Sequence, residues 1–393
     1  MPQKIDIKIE NFYKKNDLYT KYASIKIGSR GYVPLFPAIN PRRVHYNTLK
    51  SLTQPIPIEN YIEIPIEKLR EMDSDQEKQK AFITEKLDNI SGSTTLFITK
   101  LLVKNHKIED KDVDYLVDLL NFPSNDIMVT PLVYHYATTT PSEHFPKGKN
   151  VPTKGISFDS YLPFVKTFLE KAEKRHIGSF ALTLPNNLSH TDLEKLLTAY
   201  KDYDTKIAVI DAKGSKITQL APQISKLISS DEKLYTLPQK NKENFVLYSF
   251  DCIPYTAHLR EVAPAENIVQ YWSGFSWFGP RHTIFGGGGS KVIPPPRLYG
   301  SDRYGYVKHD SKEYANEKKE FDEWFEKTYN GVNSKNKLEY YKKDYEIKAL
   351  AASVDDFYKN IEDEKFWDNV IKKPHITDVI KRIQNMNKND LKV

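Results

Sequence analysis

The sequence predicts an α/β protein, an irregular (β/α)8-type barrel followed by a helical C-terminal region. After Phe158, short apolar runs alternate regularly with amphipathic helical patterns, and such alternation is typical of parallel sheets, whose strands need crossover helices. Counting the runs before Phe158, about eight strands are available, the number of a closed barrel. Charged amphipathic segments dominate the chain beyond residue 310. We therefore expect a barrel-like domain over 1–310 and a helical region over 311–393, with a doubly wound open sheet as the alternative architecture.

Composition limits the classes of protein that fit this chain of 393 residues. Apolar residues make up 39%, charged residues 28% and aromatic residues 12%, which favours a globular protein over a disordered one. The net charge of +6 is compatible with a polyanionic partner. Cys252 is the single cysteine, so an internal disulfide and a multi-cysteine zinc site are excluded and a reducing compartment is indicated. No membrane-spanning run or N-terminal signal core is visible, and we expect a cytoplasmic protein without cofactor or metal.

The first half of the chain carries strand patterns and two helical patterns. Val113, Leu116, Val117 and Leu120 form the apolar stripe of a helix that stops before Pro123. The predicted strands are 22–27, 32–39, 55–66, 94–99 and 127–134, the predicted helices are 66–87 and 110–120, and a polar loop is predicted from 135 to 154.

The second half follows a more regular rhythm. Thr191 and Glu194 have the spacing of a capping box, which predicts a helix start. The predicted strands are 179–184, 207–210, 245–250 and 268–272, and the predicted helices are 160–174, 191–200, 218–228, 256–262, 313–329, 337–360 and 377–386. We interpret residues 274–310 as a connection rich in glycine and proline.

Two carboxylates follow predicted strands directly and are the candidate catalytic residues. Asp211 ends the run Lys206-Ile-Ala-Val-Ile-Asp211, and Asp251 ends the run that begins at Phe245. In parallel α/β proteins the loops after the strands form the ligand site. Paired carboxylates there can divide nucleophile and acid–base roles, because their surroundings can move their pKa values apart. The alternative is that each aspartate only caps the next turn.

Other candidate motifs carry less chemistry. His135, Glu143 and His144 share one loop, but their spacing matches no metal-binding pattern. The run Gly286–Gly289 lacks the Gly-Lys-Ser/Thr order of a phosphate-binding loop and favours a hinge. We expect Cys252 to be a small buried residue.

The sequence also predicts a surface that binds nucleic acid. Between residues 272 and 308, cations that neutralise phosphates alternate with aromatic rings that can stack on bases. An ordinary tyrosine-rich surface is the alternative. The candidate contacts are Arg42, Arg43, Arg281, His282, Lys291, Arg297, Tyr299, Arg303 and Tyr304.

Three segments resemble tRNA-guanine transglycosylases. The run 32–39 looks like the first barrel strand of that family, and Phe250-Asp251-Cys252-Ile253-Pro254 resembles the segment that carries its nucleophilic aspartate. The helical pattern from Tyr345 to Lys359 is similar to the closing helix of the family. The Asp-Ser-Gly-Gly-Phe-Gln motif, the Gly-Gly recognition strand and the cysteine-rich zinc site of the family are absent from this sequence.

The resemblance implies base exchange in tRNA or DNA, with Asp251 attacking the anomeric carbon of the sugar and displacing guanine in favour of a deazaguanine. Asp211 is our candidate for proton transfer, chosen from its strand position. The alternatives are a non-catalytic nucleic-acid-binding or assembly subunit, with the C-terminal helices as its interface, and a barrel enzyme that acts on a small polar metabolite.

Overall fold

The structure is a computed structural model. It describes residues 4–15, 18–35, 37–40, 57–72, 75–86, 94–104, 107–122, 125–138, 150–175, 178–185, 188–200, 202–203, 205–216, 219–220, 246–253, 261–282, 297–308, 311, 315–329, 338–360, 362–373 and 375–390.

Strands and helices are numbered here in chain order. The strands are β1 (Ile5–Lys15), β2 (Leu18–Ile27), β3 (Val33–Pro34), β4 (Ile58–Pro65), β5 (Thr95–Val103), β6 (Ile127–Val129), β7 (Leu132–Thr138), β8 (Asn150–Gly155), β9 (Phe180–Leu184), β10 (Thr205–Asp211), β11 (Val246–Phe250), β12 (Val262–Pro264), β13 (Phe275–Phe278), β14 (Arg297–Gly300) and β15 (Gly305–Lys308). The α-helices are α1 (Ile66–Glu71), α2 (Gln76–Lys86), α3 (Asp110–Leu120), α4 (Phe158–Lys174), α5 (His190–Tyr200), α6 (Glu266–Val269), α7 (Ala315–Tyr329), α8 (Leu338–Lys359), α9 (Glu364–Ile371) and α10 (Thr377–Asp390).

A nine-stranded, mostly parallel sheet forms the centre of the molecule. β4 pairs with β5, β5 pairs with both β6 and β7, and the sheet continues through β9, β10 and β11 to β13. All of these pairs are parallel, whereas β8 runs antiparallel to β7. From β5 through β6, β9, β10 and β11 to β13 the parallel strands lie in chain order, and β7 also pairs with β5. The predicted α/β class is confirmed.

A short segment after β3 contacts both ends of this strand order. Pro37 forms a parallel bridge with Phe278 on β13, and Ile39 forms a parallel bridge with Ile58 on β4. The Ala38 N–H donates to the Phe278 carbonyl at 2.7 Å, and the Glu59 N–H donates to the Ile39 carbonyl at 2.9 Å. The segment therefore links the first and last parallel strands through backbone hydrogen bonds.

Alternation of side chains gives the parallel strands two buried faces. On β10, Ile207 and Val209 pack with the N-terminal strands, whereas Ala208 and Ile210 pack with helices α3, α4 and α5. We call these the inner face and the helix face. Because both faces are buried, the strands read as continuous apolar runs and not as an alternating pattern.

The N-terminal strands cover the inner face at the amino ends of the parallel strands. β1, β2 and β3 form an antiparallel sheet whose Ile5 and Ile25 join the inner-face core. The Ile5 N–H donates to Ser179 Oγ, one residue before β9, at 3.0 Å. Arg30 binds Asp126, one residue before β6, at 2.7 and 2.9 Å. These contacts close the amino end of the sheet and leave the carboxyl end for a ligand site.

The C-terminal helices share a core with residues that precede them in the chain. Strands β12, β14 and β15 form a small antiparallel sheet. Trp272, in the 3₁₀ turn after α6, and Tyr304, between β14 and β15, pack in one core with Val354 on α8 and Ile380 on α10. The core therefore crosses the predicted domain boundary at residue 310, while the helices expected over 313–329, 337–360 and 377–386 are confirmed as α7, α8 and α10.

Several expected elements differ in the structure. The predicted strand 268–272 is wrong, because α6 and a 3₁₀ turn over Gln270–Trp272 occupy it, and β13 is the strand instead. The predicted helix 66–87 is broken into α1 and α2, and the strand predicted over 127–134 is interrupted between β6 and β7. Helix α5 begins at His190, and Ser189 Oγ accepts from the Asp192 N–H at 3.1 Å, so Thr191 is not its cap.

Other expectations fall partly outside the described residues. β7 and β8 extend into both ends of the predicted loop 135–154, and residues 139–149 between them are not described. The predicted helix 218–228 is described only at residues 219–220, and the predicted helix 256–262 only at its last two residues, where Val262 begins β12. None of the helices among the described residues combines the length and apolar character needed to cross a membrane.

Candidate functional site

The two candidate aspartates lie side by side at the carboxyl edge of the sheet. Asp211 is the last residue of β10, and in the parallel register it pairs with Phe250, the residue before Asp251. Neither aspartate is exposed to solvent. A buried carboxylate is costly unless charges or hydrogen bonds stabilise it, so the groups around this pair define the site.

Backbone conformation directs Asp251 into the site. Asp211 shares the inner face with Ile207 and Val209 by simple alternation. The same alternation along β11 would send Asp251 towards the helix face. Instead Asp251 has a φ of 57°, a left-handed conformation that aspartate tolerates better than most residues. The Gly214 N–H donates to the Asp251 carbonyl at 2.7 Å, which fixes this turn against the loop after β10.

Lys100 lies between the two carboxylates. Its Nζ is 3.9 Å from Asp211 Oδ1 and 3.8 Å from Asp251 Oδ2, and the side chain is buried on the inner face of β5. The rings of Tyr61, Tyr134 and Phe250 surround the ammonium, with centroids 5.5, 5.1 and 5.2 Å away. Cation–π contacts and a shared pair of carboxylates compensate for the loss of water around the charge.

Sequence reasoning missed Lys100, although a signal was present. Lys100 interrupts an otherwise uncharged strand in which every residue is buried. Lysine is rarely buried without a partner, so a lysine inside such a run predicts a buried ionic site.

Two tyrosines complete the wall around Lys100. The Tyr134 hydroxyl donates to Asp211 Oδ2 at 2.5 Å, and the Tyr61 hydroxyl donates to Glu63. Burial, followed by the charge of Asp211, raises the pKa of Tyr134 far above its ordinary value. Burial and the Glu63 carboxylate raise the pKa of Tyr61 in the same direction. Both phenols therefore stay protonated and donate hydrogen bonds at neutral pH.

A second hydrogen-bonded chain covers Asp251. The His282 N–H donates to Asp251 Oδ1 at 2.6 Å, and the imidazole Nε2 of His282 contacts Glu59 Oε1. The Tyr248 hydroxyl donates to the other oxygen of Glu59. The His282 ring also stacks on Phe250 with centroids 5.3 Å apart. Glu59 therefore holds His282 over the candidate nucleophile.

A cavity of about 310 Å³ opens near Asp211, between the first residues of β7, the end of β8 and the residues that follow β9. Tyr134 and Lys213, which both contact Asp211, form part of its wall. Its remaining lining is largely apolar, with one carboxylate and a second lysine: Leu132, Val133, Lys154, Gly155, Ile156, Phe158, Tyr161, Pro185, Leu188 and Asp192. Such a volume fits a small molecule.

Cys252 is buried, as expected. Its thiol donates to the Ser215 carbonyl at 3.3 Å, and burial raises the pKa of Cys252 well above its ordinary value. A thiol that stays protonated is a poor nucleophile, so Cys252 is a structural residue of this loop.

The two tyrosines of the predicted nucleic-acid surface are interior residues. Tyr299 is 1% exposed and Tyr304 is 4% exposed, and both belong to the core shared with the C-terminal helices. Tyr304 stacks edge-on against Trp272 with centroids 6.0 Å apart. Neither ring presents an open face on which a base could stack.

The predicted cations that the structure describes have different surroundings. His282 belongs to the Asp251 site described above, and Arg281, beside it, is partly buried. Arg297 donates to the Glu261 and Tyr306 carbonyls at 3.1 and 2.9 Å, and Arg303 lies 3.5 Å from Asp302. The residues Arg42, Arg43 and Lys291 lie outside the described part of the chain, as do Glu143, His144 and Gly286–Gly289.

The predicted histidine loop forms no site in the part that is described. His135 Nδ1 lies 3.4 Å from the Lys104 carbonyl. Across the described ranges, no group of three or more His, Cys, Asp or Glu side chains is placed to hold a metal ion.

Comparison with known proteins leaves the site to be interpreted from its own geometry. A scan of the sequence against protein-family models found no match, and a search of curated proteins found no significant match.

Proposed function

We propose that the protein is a barrel enzyme of transglycosylase type, which exchanges guanine for a deazaguanine in tRNA or DNA. The observation that carries the proposal is the geometry of Asp211 and Asp251, which end adjacent parallel strands and approach the same buried lysine within 4 Å. Two carboxylates around one cation are suited to a reaction that needs both a nucleophile and a proton-transfer group.

We further propose that the parallel sheet closes into a (β/α)8-type barrel. The chain-order arrangement of the strands supports closure, because a doubly wound sheet reverses its strand order. The bridges from Pro37 to β13 and from Ile39 to β4 support it as well. In such a barrel the catalytic groups lie at the carboxyl ends of the strands, where Asp211 and Asp251 are found.

In the proposed reaction, Asp251 attacks the anomeric carbon of the sugar while the glycosidic C–N bond breaks. The electron pair of that bond leaves with guanine, which takes a proton from the Tyr134–Asp211 pair. The incoming deazaguanine then attacks the same carbon, gives its N–H proton to Asp211 and releases the Asp251 carboxylate. Lys100 stabilises negative charge on either aspartate throughout.

This reaction requires the cover over Asp251 to move. Asp251 is fully buried, and His282 lies on it through a backbone hydrogen bond and through Glu59. Displacement of the segment 279–282 by the substrate opens the carboxylate. The base itself must leave its stack, which costs a few kcal/mol in a duplex.

Proposed partners and location follow from the proposed reaction. tRNA or DNA is the partner, assembly through the C-terminal helices is compatible with their exposed charged faces, and a cytoplasmic location fits the single buried cysteine.

The test is base exchange by the full-length chain, measured as incorporation of labelled guanine into tRNA, single-stranded DNA and duplex DNA. We expect Asp251→Asn to abolish turnover and Asp211→Asn to reduce it strongly, with binding retained. Asp202→Asn is the matched control, because Asp202 is an exposed carboxylate in the turn before β10. Exchange by Asp251→Asn at the wild-type rate refutes the nucleophile assignment.

Binding of the same nucleic acids across a salt series identifies the alternatives. Salt-dependent binding without exchange by the wild type indicates a non-catalytic nucleic-acid-binding protein. The second candidate function, an enzyme that acts on a small polar metabolite, is favoured by the 310 Å³ cavity. If the protein neither binds these nucleic acids nor exchanges bases, the enzyme that acts on a small polar metabolite is the remaining candidate.

A further inference from the structure

Lys213 is placed in the cavity by an unusual backbone conformation. It follows β10 with a φ of 49°, and Gly214 after it has a φ of 68°. A left-handed lysine is unfavourable, so the fold accepts strain to bring this side chain to the cavity wall.

Burial and the charge of Lys100 make the Lys213 amine easier to deprotonate than an ordinary lysine. Nζ lies 4.8 Å from the centroid of the Tyr134 ring. Burial lowers the pKa of Lys213, Asp211 opposes this effect, and the charge of Lys100 adds to it. A desolvated lysine beside a second cation is the arrangement that makes an amine nucleophilic at neutral pH.

We propose that Lys213 forms an imine with a small aldehyde or ketone bound in this cavity. Exposed Lys154 on the same wall can pair with a carboxylate or phosphate of that compound, while Leu132, Ile156 and Phe158 contact its apolar part. The proposal goes beyond base exchange and does not rest on it, because it uses neither Asp251 nor a nucleic acid.

The step balances without any further reactant. The neutral Lys213 amine attacks the carbonyl carbon, and the electron pair of the C=O π bond moves to oxygen, which takes a proton from the Tyr134 hydroxyl. The nitrogen loses a proton to Asp211, through the same hydrogen bond that links Tyr134 to Asp211. The hydroxyl group then takes a proton back from the Tyr134–Asp211 pair and leaves as water, while the nitrogen lone pair forms the C=N bond and the remaining N–H proton returns to the pair.

Lys100 is not suited to this role. It is 4% exposed, lies between two carboxylates and is not part of the cavity wall. The charge of Lys100 instead acts through space and lowers the pKa of Lys213.

The experiment uses glyoxylate, an aldehyde with a carboxylate, together with cyanoborohydride, which reduces an imine to a stable secondary amine. Peptide mapping by mass spectrometry then locates the label in the full-length protein. We expect Lys213 to be labelled several-fold faster than Lys154, which is an internal comparison in the same cavity. Equal labelling of the two lysines in the wild-type protein overturns the proposal, and this comparison needs no variant.

Variants identify the chemistry. Lys213→Arg keeps the positive charge but cannot form an imine, so the selective label must disappear while circular dichroism stays unchanged. Tyr134→Phe removes the proton donor and is expected to slow labelling of Lys213 without changing that of Lys154. Asp251→Asn must leave the labelling intact, so failure of base exchange and failure of this proposal are distinguishable.

Discussion

Asp112 is a buried carboxylate that joins two helices. Arg70 on α1 donates to both of its oxygens, at 2.7 and 2.8 Å, and the Glu109 N–H donates at 2.8 Å. Burial favours the neutral acid, but the hydrogen bonds from Arg70 and the Glu109 N–H outweigh it and lower the pKa of Asp112. Because this pKa lies below the ordinary value of 3.8, the stabilisation is complete above that pH and is lost as the pH falls through the folded-state pKa.

We predict that Asp112→Asn lowers the free energy of unfolding by about 2 kcal/mol at neutral pH. The difference from wild type is expected to stay constant between about pH 7 and about pH 4 and to shrink as the pH is lowered further, towards about pH 2. Urea denaturation across this range measures it. Asp110→Asn, an exposed first-turn control on the same helix, is expected to change stability by less than about 0.5 kcal/mol. A difference that does not shrink below about pH 4 contradicts the role of the carboxylate charge.

Gly279 has no room for a side chain. A Cβ there would lie 2.1 Å from Glu59 Oε2 and 2.1 Å from the Tyr248 hydroxyl. Both atoms are buried and hydrogen-bonded to each other, so neither can move away freely.

We predict that Gly279→Ala destabilises the protein by about 1–3 kcal/mol, the usual range for overpacking, and displaces Glu59 from His282. Thermal unfolding checks the first effect, and the chemical shifts of the His282 ring check the second. Gly31→Ala is the matched control, because a Cβ at Gly31 meets nothing within 4 Å. Equal unfolding temperatures for the two variants refute the close approach.

Individual residues also mark the limit of sequence reasoning about the site. Asp211 and Asp251 were found because each follows a strand, and the structure brings them together. Their neighbours His282, Glu59 and Tyr134 come from distant strands and loops, and no local pattern connects them. The contact of Lys100 with both aspartates joins β5 to β10 and β11, which are far from it in sequence and are not its neighbours in the sheet.

Among the elements, the N-terminal sheet of β1, β2 and β3 fills the amino end of the inner face. β1 and β2 pair over nearly their whole length, and one side of the ribbon carries the apolar residues Ile5, Ile7, Ala23, Ile25 and Ile27. These residues fill the inner face at its amino end. The ribbon therefore stabilises the parallel sheet through packing and not only through its own pairing.

We predict that Ile7→Ala lowers the free energy of unfolding of the whole protein by about 2–4 kcal/mol, as expected for removal of a buried isoleucine side chain. Lys8→Ala is the control, since Lys8 is the next residue, is mostly exposed and pairs with Glu10; its loss is expected to cost less than about 1 kcal/mol. Chemical denaturation monitored by tryptophan fluorescence compares the two. If Ile7→Ala costs no more than Lys8→Ala, the ribbon is not part of the core.

Elements that were predicted wrongly have a common physical reason. The run 268–272 is apolar except at Gln270, and a short apolar run has no periodicity that separates a strand from a buried helical turn. Here the Asn267 side chain accepts from the Ile268 N–H at 3.0 Å and helps start helix α6. β13 was missed because its four residues lie between glycines, in a stretch whose composition resembles a loop.

At the scale of the whole molecule, we expect the C-terminal helices to unfold together with the strands β14 and β15, because they share a core. Ile380 on α10 is fully buried against the core that holds Trp272 and Tyr304. A core that crosses the expected boundary at residue 310 makes two independent domains unstable as separate pieces.

We predict that Ile380→Ala increases amide hydrogen exchange not only in α10 but also in β14 and β15. The cause is loss of a buried side chain, worth about 2–5 kcal/mol, from a shared core. Lys381→Ala, an exposed neighbour, is the control and leaves both regions protected. Exchange that increases in α10 alone would show that the helices are an independent unit.

The class of fold was predictable because its signal is distributed along the chain. Each parallel strand is a buried apolar run, and each amphipathic helix between them has its own periodicity, so single errors such as 268–272 did not change the class. The bridges at Pro37 and Ile39 were not predictable from the sequence. The run around the two prolines contains no signal that it would pair with a strand beyond residue 270.

The bridge between Pro37 and Phe278 can form only late in synthesis of the chain. Ile39 can meet Ile58 as soon as β4 has left the ribosome, but Pro37 must wait for β13, which is made much later. Until then the growing sheet keeps an unpaired edge, and such edges are prone to aggregation in nascent chains. Strands β1 and β2 are made first and are available to cover the apolar inner face during this interval. The order of segments along the chain therefore protects the incomplete protein.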